Sequence, residues 1–262
     1  MYYEKKGIVI NISNMKGGCG KSTLSFLIAQ YLAIDKIFEE SKGINRNGVC
    51  ILDIDKPQFT CKTYFLNRKK FFQDKLISPT LVDFNLDNDS NPEEFNNYIE
   101  DLKNQFDYII IDSGGHYDNV TKMAINVANI LVTPILNTLV DFNVLFKYNY
   151  TSNQIITGSF VDLVRTNKNP NRKLFWYLVP NKCNPIVTEY SNKCLQILKS
   201  MSDLIGFKVT EPIMDRYIYN QSFDMGLNIF DDEINKYFVT SPNTINNARR
   251  EIVNVIKYIL SK

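Results

Sequence analysis

The stretch "GIVINISNMKGGCGKSTLSFLIAQYL", residues 7–32, constrains the fold more than any other part of the chain. An apolar run containing Ile8, Val9 and Ile10 leads into a glycine-rich turn. The turn leads into a segment whose apolar residues Leu24, Leu27, Ile28, Tyr31 and Leu32 recur with helical period. Strand, glycine turn and helix in that order are the context of a phosphate-binding loop. The glycines permit dihedrals that turn successive backbone N–H groups toward an anion, and the helix N-terminus adds its positive dipole end. On this reading Gly17, Gly18, Cys19, Gly20 and Lys21 wrap the phosphates, with Lys21 on the β- and γ-phosphates. Ser22 ligates Mg²⁺ and Thr23 bonds an inner phosphate. The loop departs from the usual G-x-x-x-x-G-K-[ST] in one respect: Met15 replaces the first glycine, and a second lysine, Lys16, follows it.

Further apolar runs at Val49–Asp53, Tyr108–Asp112, Ile130–Thr133 and Leu174–Val179 lack polar alternation, as strands covered on both faces do. Helical segments lie between them. Asn119–Asn129 is one, and Val187, Tyr190, Cys194, Ile197, Leu198, Met201 and Ile205 line a face of another. Ser241-Pro242 supplies the N-cap and first turn of a last helix running to about Leu260. The alternation predicts an α/β fold with a doubly wound, mostly parallel sheet flanked by helices, in one domain spanning 1–262. Asp35–Gly48 and Arg165–Lys173 have the composition of inserted, solvated loops.

Composition narrows the functional classes. A net charge of +2 excludes a global polyanion binder and leaves room only for a local patch. Five cysteines with no C-x-x-C spacing argue against a disulfide framework or a zinc site and suit a reducing cytosol. Gly7–Ile12 is too short for a signal-peptide core, and no apolar stretch is long enough to span a membrane. The expected location is cytoplasmic.

Two carboxylate motifs fall at strand ends, where ligands bind in open α/β sheets. "ILDIDKPQ" offers Asp53 and Asp55, and "YIIIDSGG" offers Asp112 before a glycine pair. Asp53 and Asp112 are placed for water-mediated contact with Mg²⁺, and Asp55 for orienting the attacking water. In "NKCN", Asn184 has no carboxylate to accept from guanine, whereas Asn181 can pair with adenine; ATP is therefore favoured over GTP. Lys16, on the outer edge of the loop, is best used in trans, reaching the phosphates of a second subunit as an arginine finger does.

"KGGCGKST" resembles the deviant Walker A box of the ParA/MinD ATPases. With "DIDKPQFTCKTYFLNRKKF", "DYIIIDSGGHYDNVTKMA", "LVTPILNTLVDFNVL" and "MDRYIYNQSFDMGLNIFD", the chain resembles the MipZ family of division-plane positioning ATPases over nearly its whole length. That resemblance implies a slow ATPase that dimerises around ATP, is recruited by ParB, holds DNA nonspecifically on the nucleoid and inhibits FtsZ assembly. Carried over, Lys16 is the signature lysine, Gly17 leaves room for the facing subunit, and Asp55 is the hydrolytic aspartate. Asn181 and the turn Glu211-Pro212-Ile213 match the adenine contacts.

The chain also departs from the family. Thr188–Ile205, where the family presents a basic face to DNA, carries only Lys193 and Lys199, although Arg216 of the family's "DRxIY" segment is retained; either DNA binding is lost or it uses another patch such as Arg249-Arg250. Ser113-Gly114-Gly115 stands where the family has Thr-Pro-Gly, which implies a looser second switch, and His116 beside it reads as a switch residue rather than a base. The alternative within the superfamily is a ParA-type segregation ATPase or a MinD-type membrane-associated regulator. The apolar positions Ile252, Val255, Ile256 and Ile259 of the last helix are expected to pack on the sheet rather than enter lipid.

Overall fold

Strand β1, Ile8–Ile12, carries its apolar residues on both faces, and the rest of the molecule is built outward from it. In a computed structural model of the chain, the described residues are 6–41, 48–149, 154–186, 188–238 and 241–261. The strands are β1, β2 (Val49–Asp53), β3 (Thr80–Val82), β4 (Tyr108–Asp112), β5 (Ile130–Leu136), β6 (Phe146–Asn149), β7 (Gln154–Thr157), β8 (Phe175–Asn181) and β9 (Lys208–Val209). Seven of them form one sheet in the order β3-β2-β4-β1-β5-β8-β9, and every pairing in it is parallel. β6 and β7 form a separate antiparallel hairpin.

The main helices are α1 (Lys21–Ser41), α2 (Thr60–Phe72), α3 (Pro92–Gln105), α4 (Asn119–Val127), α5 (Ser159–Asn167) and α6 (Glu189–Ile205). Two single turns, α7 (Ile218–Gln221) and α8 (Ile234–Tyr237), precede the last helix, α9 (Pro242–Leu260). Alternate strand residues feed opposite cores. Ile10, Ile12, Ile51, Ile110 and Val132 pack under α1, α2 and α9. On the other face, Val9, Cys50 and Ile109 meet α3 and α4, and Leu131, Trp176 and Leu178 meet α5 and α6. This is the doubly wound parallel sheet expected from the sequence.

Several local expectations need correction. Asp35–Gly48 is not a loop throughout: α1 continues to Ser41, and only 42–47 lie outside the described residues. "DKIFEES" is made mostly of residues that propagate a helix already started. Arg165–Lys173 is likewise not simply solvated. Arg165 lies in α5, and its Nη2 reaches the carbonyls of Leu204 and Ile205 at the end of α6, at 3.4 and 3.5 Å. Arg172 donates to the Val127 carbonyl at the end of α4 at 2.5 Å and to Glu100 at 3.2 Å. Both arginines place charge at the negative ends of helices. α4 stops at Val127, and β5 and β8 run on to Leu136 and Asn181. α6 begins at Glu189, with Thr188 as its cap, and Val187 lies outside the described residues. Ser241 caps α9 as expected, accepting from the Thr244 N–H, and Ile252, Val255, Ile256 and Ile259 are buried on the sheet.

Candidate nucleotide site

All the residues singled out around the glycine turn sit at the carboxyl ends of the central strands. β1 runs between β4 and β5, so its C-terminal turn emerges in the middle of the sheet. The Asn14 side chain donates to the Pro134 carbonyl at 2.8 Å and accepts from the Lys16 N–H at 3.1 Å, which fixes the turn to β5. The loop then closes on one carbonyl. The Lys16 oxygen accepts from Lys21 Nζ and from the Cys19 thiol, each at 3.2 Å. Lys21 is thus held by a neutral group, so its charge is left for an anion. Cys19 is buried, its thiol pKa is raised by burial, and it serves as loop filler. Gly20 has φ +91°, and a Cβ there would stand 2.4 Å from Asn181 Nδ2, so only glycine fits.

A cleft of about 390 Å³ opens over the loop, with Lys21, Ser22, Asp55, Gln58, Gly115 and His116 among its walls. Asp55 is 6% exposed. A Cβ on Gly114 would lie 2.8 Å from Asp55 Oδ1, and one on Gly115 would lie 3.3 Å from Lys21 Nζ. The absence of side chains at Gly114 and Gly115 lets that segment lie directly against Asp55 and Lys21.

Asp53 and Asp112 are partners in the β2–β4 register, so their carboxyls stand side by side. Asp53 accepts the N–H groups of Asp55 and Lys62, at 3.1 and 2.9 Å. Asp112 Oδ1 accepts from the Ser25 hydroxyl at 2.8 Å, while Oδ2 is buried without a partner among the described residues. Burial raises the pKa of both carboxyls, and in Asp112 the neighbouring Asp53 adds to this, pushing it up to about 7. Two adjoining carboxyls, one orphaned oxygen and the nearby Ser22 make a donor set that fits Mg²⁺, a hard cation that takes oxygen ligands and keeps several waters.

Asn181 is tied to the glycine loop. Its Nδ2 donates one hydrogen to the Cys19 carbonyl at 2.8 Å, which leaves Oδ1 and the second N–H. A second, narrow pocket begins there and shares Gly20, Thr23 and Lys182 with the phosphate cleft. Its far wall starts at Ile213; Pro212 stands one residue outside it. Sequence reasoning passed over Gln58, Thr60, Lys182 and Tyr219 as site residues. Lys182 adopts φ +52° directly after Asn181 and lines both pockets. Its place in "NKCN" was the available signal.

Lys16 makes a contact that spacing does not reveal: its Nζ stands 3.2 Å from Asp141 Oδ1 of the same chain. Next to Asp141, Leu139 and Val140 are exposed, and the Leu139 N–H donates to the hydroxyl of the exposed Tyr190 at 3.2 Å. The candidate DNA patches are internally engaged. Arg216 pairs with Glu251, and Arg249 donates to the Ile229 and Asp231 carbonyls. Arg250 is bonded to Asn247 and remains exposed. Among the described residues, no helix is long and apolar enough to cross a membrane.

Comparison with known proteins agrees with this geometry. Three solved structures share the fold. Cyanothece McdA in an ATP complex has TM-score 0.64 and 15% identity, over 98% of this chain and 97% of that one. A putative plasmid partition protein of Borrelia burgdorferi bound to AMPPNP has TM-score 0.63 and 17% identity, over 97% and 99%. The MinC:MinD cell division complex of Aquifex aeolicus has TM-score 0.62 and 14% identity, over 98% and 96%. A stretch of 52 residues is 46% identical to plasmid partition protein A of Escherichia coli; it is 20% of this chain and spans 13% of that protein. From residue 8 to residue 260 the sequence matches the family described as ATPase MipZ, and the chain belongs to that family.

Proposed function

We propose that the protein is an ATP-driven dimeric switch that positions the cell-division machinery. The observation that carries this reading is the meeting of Lys21, Ser22, Asp55 and the Gly114-Gly115 backbone around one cleft, with Lys16 at its rim. Lys21 and the loop N–H groups hold the β- and γ-phosphates. Ser22 and, through water, Asp53 and Asp112 hold Mg²⁺, which when bound neutralises developing phosphate charge. Asp55 orients the attacking water. The Asn181 side chain gives one of its two amide hydrogens to Cys19 and keeps Oδ1 and the other N–H, so it can accept from the adenine amino group and donate to an acceptor of the base. Lys16 leaves Asp141 and reaches the nucleotide of a second copy. The exposed apolar residues beside it, Leu139, Val140 and Tyr190, supply surface for that copy.

Family membership supports a ParB-like recruiter, an FtsZ-like target and a cytoplasmic, nucleoid-facing role. The sparse charge of α6 and the engaged Arg216 and Arg249 weigh against a strong DNA surface on this chain alone. The ParA-type reading is favoured by the short plasmid-partition match. A MinD-type membrane role is disfavoured because the apolar face of α9 is already buried.

Sedimentation with ATP and Mg²⁺, together with phosphate release, tests the proposal. Asp55→Ala is expected to hold an ATP-dependent dimer while losing turnover. Lys16→Ala is expected to bind ATP and remain monomeric. A Lys16→Ala protein that dimerises normally removes the in-trans role, and normal turnover in Asp55→Ala removes the water-orienting one.

A further inference from the structure

His116 is the only histidine in the chain, and the mechanism above gives it no task. It is exposed, lines the cleft over the glycine loop, and makes no hydrogen bond or ion pair among the described residues. The two glycines before it fix its place. A Cβ on Gly115 would lie 3.3 Å from Lys21 Nζ, so the chain passes the phosphate lysine one residue before His116. A Cβ on Gly114 would lie 2.8 Å from Asp55 Oδ1 and 3.4 Å from His116 Cδ2, so the imidazole edge and the Asp55 carboxylate border one small space. The cleft, of about 390 Å³, leaves room for a phosphate chain beside the ring.

The charged groups that share the cleft with the ring are Lys21, Lys182 and Asp55. On its own segment Asp112 is buried, Asp118 caps α4 by accepting the Thr121 N–H, and Lys122 lies over the Tyr117 ring. The imidazole itself is free to turn to a ligand. Histidine changes its charge between about pH 5 and 8, and its charged form carries two N–H donors. A hydrogen bond from a cation to a phosphate oxygen is about twice as strong as a neutral one. We propose that the charged imidazole of His116 is a ligand of the terminal phosphate, so that binding of a nucleoside triphosphate takes up a proton from solvent and draws the second-switch segment onto the nucleotide. A diphosphate brings no terminal group to that place. This rests on the nucleotide reading of the cleft above, and it gives the single chain a pH-dependent preference for triphosphate over diphosphate.

The test uses the full chain with Mg²⁺ and titrates AMPPNP, which resists hydrolysis, and ADP into the wild type and His116→Gln at about pH 6 and about pH 8. At the lower pH His116→Gln should bind AMPPNP about tenfold more weakly than the wild type, the factor of one hydrogen bond to a charged group, and ADP equally. At the higher pH the gap should shrink to about twofold or less. Titration of the terminal phosphate and of Asp112 is common to both proteins and cancels in their ratio. With one histidine in the chain, the NMR signals of its ring C–H groups report on it directly. At neutral pH AMPPNP should move them toward their low-pH positions, and ADP should not. Both contrasts should persist in Lys16→Ala, which removes any cation that a second copy supplies. Equal AMPPNP affinity in the two proteins overturns the proposal, and lost turnover with unchanged affinity does so by making His116 a base. A gap that is the same at both pH values, a contrast that vanishes in Lys16→Ala, or an equal loss of AMPPNP and ADP, the mark of a merely structural role, overturns it as well. A wild type that binds neither nucleotide defeats the nucleotide reading itself, a result distinct from any of these.

Discussion

The two ends of the sheet both gather cations, and they treat them in opposite ways. At the amino ends of the strands, Glu100 takes hydrogen bonds from Lys6, Lys103 and Arg172 at 3.1, 2.7 and 3.2 Å, and Arg172 also caps α4. At the carboxyl ends, Lys21 rests on a backbone carbonyl, Asp112 Oδ2 and Ser13 Oγ have no partner among the described residues, and two carboxyls are pressed together. Buried polar groups are normally satisfied, and departures from that rule cost stability. One end is thus electrostatically finished, while the other keeps buried polar groups without partners among the described residues. On the function proposed above, the difference separates charges that hold the fold from charges kept for phosphate and metal. Substitutions at the carboxyl end should change activity with little effect on folding, and substitutions at the amino end should do the reverse.

The largest expected effect lies at the unfinished end. Gly114→Ala places a methyl 2.8 Å from Asp55 Oδ1, and the carboxylate, as the movable partner, gives way. If Asp55 orients the attacking water, as proposed, a shift of about 1 Å costs about 100-fold in rate, and that is the expected fall in ATP turnover. Gly114 is not among the glycines with positive φ, so the alanine adds no backbone strain there and the melting temperature should hold. Phosphate release and a thermal melt on the same preparation check this. Unchanged turnover would mean that the second switch does not set the position of Asp55.

How much of that contrast was legible in the sequence depends on the range of the interactions. The strand–loop–helix unit from Ile8 through α1, the carboxylates at the ends of β2 and β4, and the Ser241 cap of α9 are local patterns, and all stand where the sequence put them. β3 and β9, three and two residues long, carry too little pattern to read and exist because a neighbouring strand pairs with them. α3 was missed although Asn91-Pro92 and Glu93 form a plain start signal. The side-chain ties could not be read at all. Asn181 reaches Cys19 across 162 positions and Arg172 reaches Glu100 across 72, and both depend on how the layers close. For the same reason the basic run 165–173 looked solvated, whereas two of its arginines are helix caps.

Glu100→Gln probes the finished end. Partial burial alone would raise the Glu100 carboxyl, but the hydrogen bonds and charges of Lys103 and Lys6 outweigh it and hold the pKa at about 2. A carboxylate whose pKa is depressed in the folded state contributes stability above its ordinary value, and that contribution is lost as pH falls through the folded value. The wild type should therefore exceed Glu100→Gln by about 1 kcal/mol at neutral pH, a figure discounted for the solvent-exposed part of the cluster. The gap should narrow below pH 4.5 and close near pH 2. Denaturant titrations across that range read it directly, and turnover at pH 7 should match the wild type. A gap that does not depend on pH would show that shape, rather than charge, does the work of Glu100.

The smallest effect concerns the exception at the carboxyl end, the one loop lysine that has a carboxylate partner. Lys16 Nζ stands 3.2 Å from Asp141 Oδ1, with the lysine side chain 43% exposed. Asp141 is further held by the Thr138 hydroxyl and by its own N–H to the Thr138 carbonyl. Asp141→Asn keeps an oxygen for Thr138 and removes the charge facing Lys16. If the pair restrains Lys16 in the single chain, its loss releases the lysine for the second copy. Half-exposed pairs are worth no more than about 1 kcal/mol, so the ATP-bound dimer should tighten by up to about fivefold, with little change in melting temperature. The sign decides between two roles. A tighter dimer makes Asp141 a restraint on Lys16, whereas a weaker one makes it the group that aims Lys16 across the interface. In the second case the carboxyl end holds one finished contact of its own, made for the partner rather than for the fold.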